Sequence, residues 1–167
     1  MSTQPHAEET CLNEATGAEG GTLWGRRFAA AANNRAWDLS VQTRSAAEDQ
    51  EMLDAAHASA WHWAKVGTEL NRMRATMLLA EVHALLGLGR SALAYADEMR
   101  RYFLGIQAPD WEVAFVHVVY AHAASAAGET EKHRAAYGLA VAALEAVSSE
   151  QERRIVASTF SHVSKPK

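Results

Sequence analysis

The sequence predicts an all-α fold: a right-handed superhelix of about three antiparallel helical hairpins, closed by a C-terminal capping helix. Three observations carry this expectation. Only three prolines occur, Pro5, Pro109 and Pro166, and alanine fills the interior stretches, which favours helix over strand. Apolar residues recur at spacings of three and four, the period of a helix face. The turn signals Gly87-Leu88-Gly89 and Gly128-Glu129-Thr130 lie 41 residues apart between long apolar runs, so the hairpins repeat. A hairpin cannot bury its apolar stripe alone, and stacked hairpins share one core while leaving a curved face for binding.

Along the chain, residues 1–21, ending in Gly20-Gly21, lack aromatics and periodicity and read as a mobile tail. Helix one is expected from Leu23 to Gln42, with Trp24, Phe28, Trp37 and Leu39 in its stripe. Ser45 is the expected N-cap of helix two, with Glu48 completing a capping box, and the helix reaches Val66. Gly67 suits a left-handed C-cap and Thr68 the next N-cap. Helix three, to about Leu86, is apolar around much of its circumference, which predicts a central helix packed on two sides.

Helix four runs from Arg90 to about Phe103, and Asp110 is placed as the cap of helix five, which extends through Ala127. The run Ala114 to Tyr120 has strand propensity but sits inside a longer apolar stripe, so it is read as helix. Helix six opens at Glu129 or Thr130 and carries a small-residue seam, Ala135, Ala136, Leu139, Ala142, Ala143 and Ala146. Ser149 and Glu152 form a capping box for helix seven, ending near His162, and residues 164–167 form a short tail. The repeat domain is thus placed at residues 22–163, and its last helix, with Ile155, Val156 and Phe160, covers the final hairpin.

Charge and cysteine content narrow the partners. The 167 residues carry a formal net charge of -4, which offers no electrostatic footprint for nucleic acid or an anionic membrane. The single cysteine, Cys11, excludes an intramolecular disulfide. With no cationic start, no apolar leader and no long apolar span, a cytoplasmic location is expected.

The segments Ala55-Ala56-His57-Ala58-Ser59-Ala60-Trp61-His62-Trp63, Val66-Gly67-Thr68-Glu69-Leu70-Asn71-Arg72-Met73-Arg74 and Val82-His83-Ala84-Leu85-Leu86-Gly87 resemble a bacterial group of tetratricopeptide-like proteins without an assigned activity. The resemblance spans roughly residues 35–146 and implies a helical-repeat superhelix. It departs from the standard repeat, whose length is about 34 residues and whose large helix-A aromatic is missing at Met77. Peptide-clamp residues are therefore not carried over.

No catalytic signature appears. Ser59, Ser91, Ser125 and Ser158 lie in helical stretches without a nucleophile elbow, and Gly87-Leu88-Gly89-Arg90 lacks the spacing and lysine of a phosphate cradle. No metal site is expected: His57 and His62, like His117 and His122, are five apart, whereas two ligands on one helical face need three or four. No cofactor is expected either.

The candidate binding residues are His57, Trp61, Asn71, Arg74, Glu81 and His117. Asn71, Arg74 and Glu81 are polar groups on one face of an otherwise apolar helix three. They read either as a ligand-recognising patch or as an interhelical network, since a buried guanidinium must be paired. Trp61 and Trp63 project about 200 degrees apart, so one is expected in the core and the other outside it.

The leading expectation is a noncatalytic module that binds a protein or peptide through its concave face. The alternatives are a small-molecule sensor or enzyme with a pocket near His57, Trp61, Arg74 and His117, and a homodimer formed through the outer aromatic and alanine surfaces.

Overall fold

Seven helices make up the described residues in a computed structural model that covers the backbone of residues 6–167 and the side chains from Gly20 onward. Residues 1–5, and the side chains up to Glu19 with Cys11 among them, lie outside the described residues. In chain order the elements are α1 (His6–Ser40), α2 (Ala46–Val66), α3 (Glu69–Leu85), α4 (Gly89–Phe103), α5 (Asp110–Ala126), α6 (Thr130–Ala146) and α7 (Glu150–Phe160). No strand occurs among the described residues. Helix α1 begins upstream of Leu23, so residues 6–21, expected as a tail, have helical backbone. The run Ala114 to Tyr120 is helical, because burial on every side of α5 outweighs β-propensity.

Local chemistry sets most boundaries. Ser45 and Glu48 form the expected reciprocal box at the start of α2, and Thr68 does the same at α3 with Asn71 as its partner. Ser149 accepts from the amide of Glu152 at α7, but no return bond from Glu152 completes a box there. Gly87 and Gly128 adopt φ of 70° and 74°, the left-handed geometry that closes α3 and α5. Gly67 does not. Its φ is -92°, and glycine is needed because a Cβ would lie 2.6 Å from the carbonyl oxygen of Trp63. Asp110 is also not the cap of α5. The cap position is Pro109, and Asp110 instead accepts from the amide and hydroxyl of Ser148, tying α5 to the α6–α7 turn.

Each helix packs on its chain neighbours, and α1 also packs on α3, α3 on α5 and α5 on α7. The odd-numbered helices therefore form one layer, with α2, α4 and α6 each lodged against two of them. Gly89 lets the hairpins approach: a Cβ there would lie 2.2 Å from the carbonyl oxygen of Ala126, at the end of α5.

Two apolar clusters share α3 and meet at Trp37 and Tyr95. Met73, Met77, Ala80 and Ala84 face the larger one, with Phe103 and Val119, while Leu78, Leu79 and Val82 face the smaller one, with Leu39 and Met52. This is the central helix packed on two sides, and α5 is buried to the same degree. The seam on α6 has a different phase from that expected: Ala136, Ala140 and Val147 are buried, whereas Ala135, Leu139, Ala142 and Ala146 face out. Neither Trp61, 60 % exposed, nor the half-buried Trp63 is a core residue. The last residues lie along α6, where the Ser164 carbonyl accepts from His133 and that of Lys167 from Arg134.

Candidate functional site

Stacking the odd helices leaves a groove of about 450 Å³ that all four of them line. Helix α1 contributes Asn33, Trp37 and Asp38, with Val41 just beyond its end; α3 contributes Arg74 and Met77; α5 contributes Trp111, Glu112 and Phe115; α7 contributes Ile155, Ser158 and Thr159. Its aromatic wall is a chain of edge-on contacts. Phe115 sits 5.6 Å from the Trp37 ring centre and 6.2 Å from that of Trp111. Ile155, on the expected capping helix, is exposed and lines the groove.

One charge pair lies in this apolar wall. Arg74 donates from Nε to Glu112 Oε1 at 2.7 Å and from Nη2 to Oε2 at 3.4 Å, a two-pronged pairing between α3 and α5. Glu112 has 2 % of its side chain exposed and Arg74 has 43 %. The guanidinium carbon also lies 5.8 Å from the Trp111 ring centre. Nε and one Nη2 hydrogen are committed to Glu112, and no protein acceptor among the described residues takes the Nη1 hydrogens.

The other candidate residues do not converge on this site. Asn71 returns a bond to Thr68 and serves as a cap. Glu81 is fully buried, and both of its oxygens accept from His122 Nδ1 at 3.0 Å, a second α3–α5 bridge one face away from solvent. Of the pair Arg74 and Glu81, the first is open to the groove and the second belongs to an interior network that joins α3 to α5. His57 contacts His83. Trp61 stands edge-on to His62 with Lys65 over its ring, beside Phe28 and Trp24, in an exposed aromatic strip on α1 and α2. Among the described residues, no hydrogen bond or ring contact joins His57 or Trp61 on α2 to Arg74 or His117.

His117 faces α4 from α5, and burial first, then the nearby Arg100 charge, hold its pKa below the ordinary histidine value. Arg100 lies 4.5 Å over the Tyr120 ring. A ring whose folded pKa is lowered binds its proton more readily in the unfolded chain. Its contribution to stability is therefore complete above the unfolded value of about 6.5 and is lost as pH falls below it. Urea titrations of wild type and His117→Gln are expected to show a smaller loss of stability on acidification in the variant; equal losses would remove His117 as a source.

Trp37, Trp111, Phe115 and Glu112 line the groove but are not among the residues expected at a site. A usable signal existed for Glu112: it is the one carboxylate inside the apolar run from Trp111 to Tyr120, and Arg74 is the matching charge on the other most apolar helix. Among the described residues no group of three or more His, Cys, Asp or Glu gathers to hold a metal, and no helix is long and apolar enough to cross a membrane. Comparison with protein-family models, curated proteins and solved structures finds no match.

Proposed function

We propose that the chain is a noncatalytic interaction module of the tetratricopeptide-like kind, a right-handed superhelix that holds a peptide segment in the groove of its odd-numbered helices. The observation that carries this reading is the half-exposed Arg74, anchored by a buried Glu112 within an aromatic wall. An apolar trough with a single fixed cation suits a segment that inserts a bulky apolar side chain and presents a carboxylate or carbonyl beside it. Such a role agrees with the cytoplasmic location expected from the sequence.

Ile155→Glu tests this without disturbing the core, since Ile155 is 54 % exposed and lines the groove. Peptides selected from a displayed random library on the full chain are expected to share a large apolar residue next to an acidic group or a free C-terminus. They are expected to quench Trp37 and Trp111 fluorescence and to bind Ile155→Glu at least about tenfold more weakly, the loss that a charge facing an apolar contact brings. Selected peptides that bind wild type and variant equally would move the binding surface elsewhere.

A further inference from the structure

On the other side of α3, His57 and His83 point their Nε2 atoms at one another from α2 and α3, 3.2 Å apart, with ring centres 5.3 Å apart. His83 is supported from behind: its Nδ1 lies 2.6 Å from Ser91 Oγ, and that hydroxyl donates to the Leu88 carbonyl at 3.0 Å. Because the hydroxyl hydrogen is committed to Leu88, Nδ1 of His83 is the donor to Ser91, and Nε2 of His83 carries a lone pair. Tyr95 packs edge-on against the same ring, with centres 5.2 Å apart. His57 is exposed.

We infer that His57 and His83 form an open two-histidine site for a divalent transition-metal ion of the zinc, nickel or copper class. Two imidazole nitrogens bound at about 2.0–2.1 Å to one tetrahedral ion lie about 3.3 Å apart, with ring centres about 5.2 Å apart. The two rings lie close to both distances, so an ion can take the place of the hydrogen that now links them. A ligating histidine whose second nitrogen donates to a fixed acceptor is the arrangement that sets tautomer and ring direction in metal sites, and Ser91 supplies it. Imidazole ligands select ions of this class over calcium and magnesium, which take oxygen.

Exposure of His57 gives the ion a path from solvent. No third protein ligand stands by among the described residues, so the remaining positions fall to water or to a donor group on a bound molecule. The five-residue spacings within α2 and α5 argue against a site on a single helix, and this pair bridges two helices instead. The pair shares no residue with the groove.

Calorimetric titration of the full chain with zinc chloride is expected to show one ion per chain with half-saturation in the micromolar range. The ring nitrogen signals of His57 and His83 are expected to move together in the same titration. His57→Ala changes an exposed side chain, and a circular dichroism spectrum equal to that of wild type checks its fold; it is expected to weaken binding more than about tenfold, and Ser91→Ala by about tenfold. His62→Ala, on the aromatic strip, is expected to leave binding unchanged. Absence of saturable binding at micromolar zinc, binding that survives His57→Ala undiminished, or movement of other histidine signals in their place would overturn the assignment.

Discussion

His122→Ala is expected to destabilise the protein by about 3–5 kcal/mol, the cost of leaving a buried charge without its partner. Glu81 has no solvent-accessible surface, and both of its carboxylate oxygens take their contact from His122 Nδ1. Removing the ring leaves a fully buried carboxylate without the hydrogen-bond partner it has in the folded protein. For a chain of this length the loss corresponds to a fall in melting temperature of roughly 6–20 °C.

The double variant Glu81→Leu with His122→Leu separates the pair's net contribution from the penalty of breaking it. Well-packed apolar replacements of a buried pair are often close to neutral, so the double variant is expected to be more stable than His122→Ala. Urea midpoints for the three proteins check both statements. A single variant within about 1 kcal/mol of wild type would mean that Glu81 finds another donor or water.

The helices were legible because their signals are local. Capping at Ser45 and Thr68 depends on residues three apart, and the left-handed turns at Gly87 and Gly128 depend on a single glycine each. The seam on α6 was misphased for the opposite reason: alanine is common on both faces of that helix, and only contact with α5 and α7 selects Ala136 and Ala140 over Ala135 and Leu139. The start of α1 was misplaced because residues 6–21 lack the apolar periodicity used to find a helix.

The site was legible only in half. Arg74 and Glu81 stand out on an apolar helix, and the expectation that they share one role follows from their lying two turns apart on α3. Their partners, Glu112 and His122, lie on α5, 38 and 41 residues downstream, and which neighbour receives which charge is set by how far α5 is rotated against α3. That rotation is a tertiary property. It places Arg74 at a rim shared with α1 and α7 while turning Glu81 inward, so two residues of one stripe end in different environments. The His57–His83 contact was hidden in the same way, since it joins residues 26 apart on different helices.

Arg74→Ala is expected to cost about 2–4 kcal/mol, less than His122→Ala because solvent reaching the half-exposed Arg74 screens the pair. The loss arises at Glu112, whose carboxylate is 2 % exposed and accepts in the protein from Arg74 alone among the described residues. This matters for the groove. A binding defect in Arg74→Ala mixes the missing cation with a strained α3–α5 contact, so the single variant cannot by itself assign a recognition role. Arg74→Met combined with Glu112→Leu removes both charges, keeps the apolar volume beside Trp111, and is expected to recover most of the stability. If Arg74 recognises the carboxylate of a bound segment, this recovered protein still binds the selected peptides at least about tenfold more weakly than wild type, a loss of about 1.4 kcal/mol. Recovery of binding along with stability would make Arg74 a strut between α3 and α5, with recognition left to Trp37, Trp111 and Phe115.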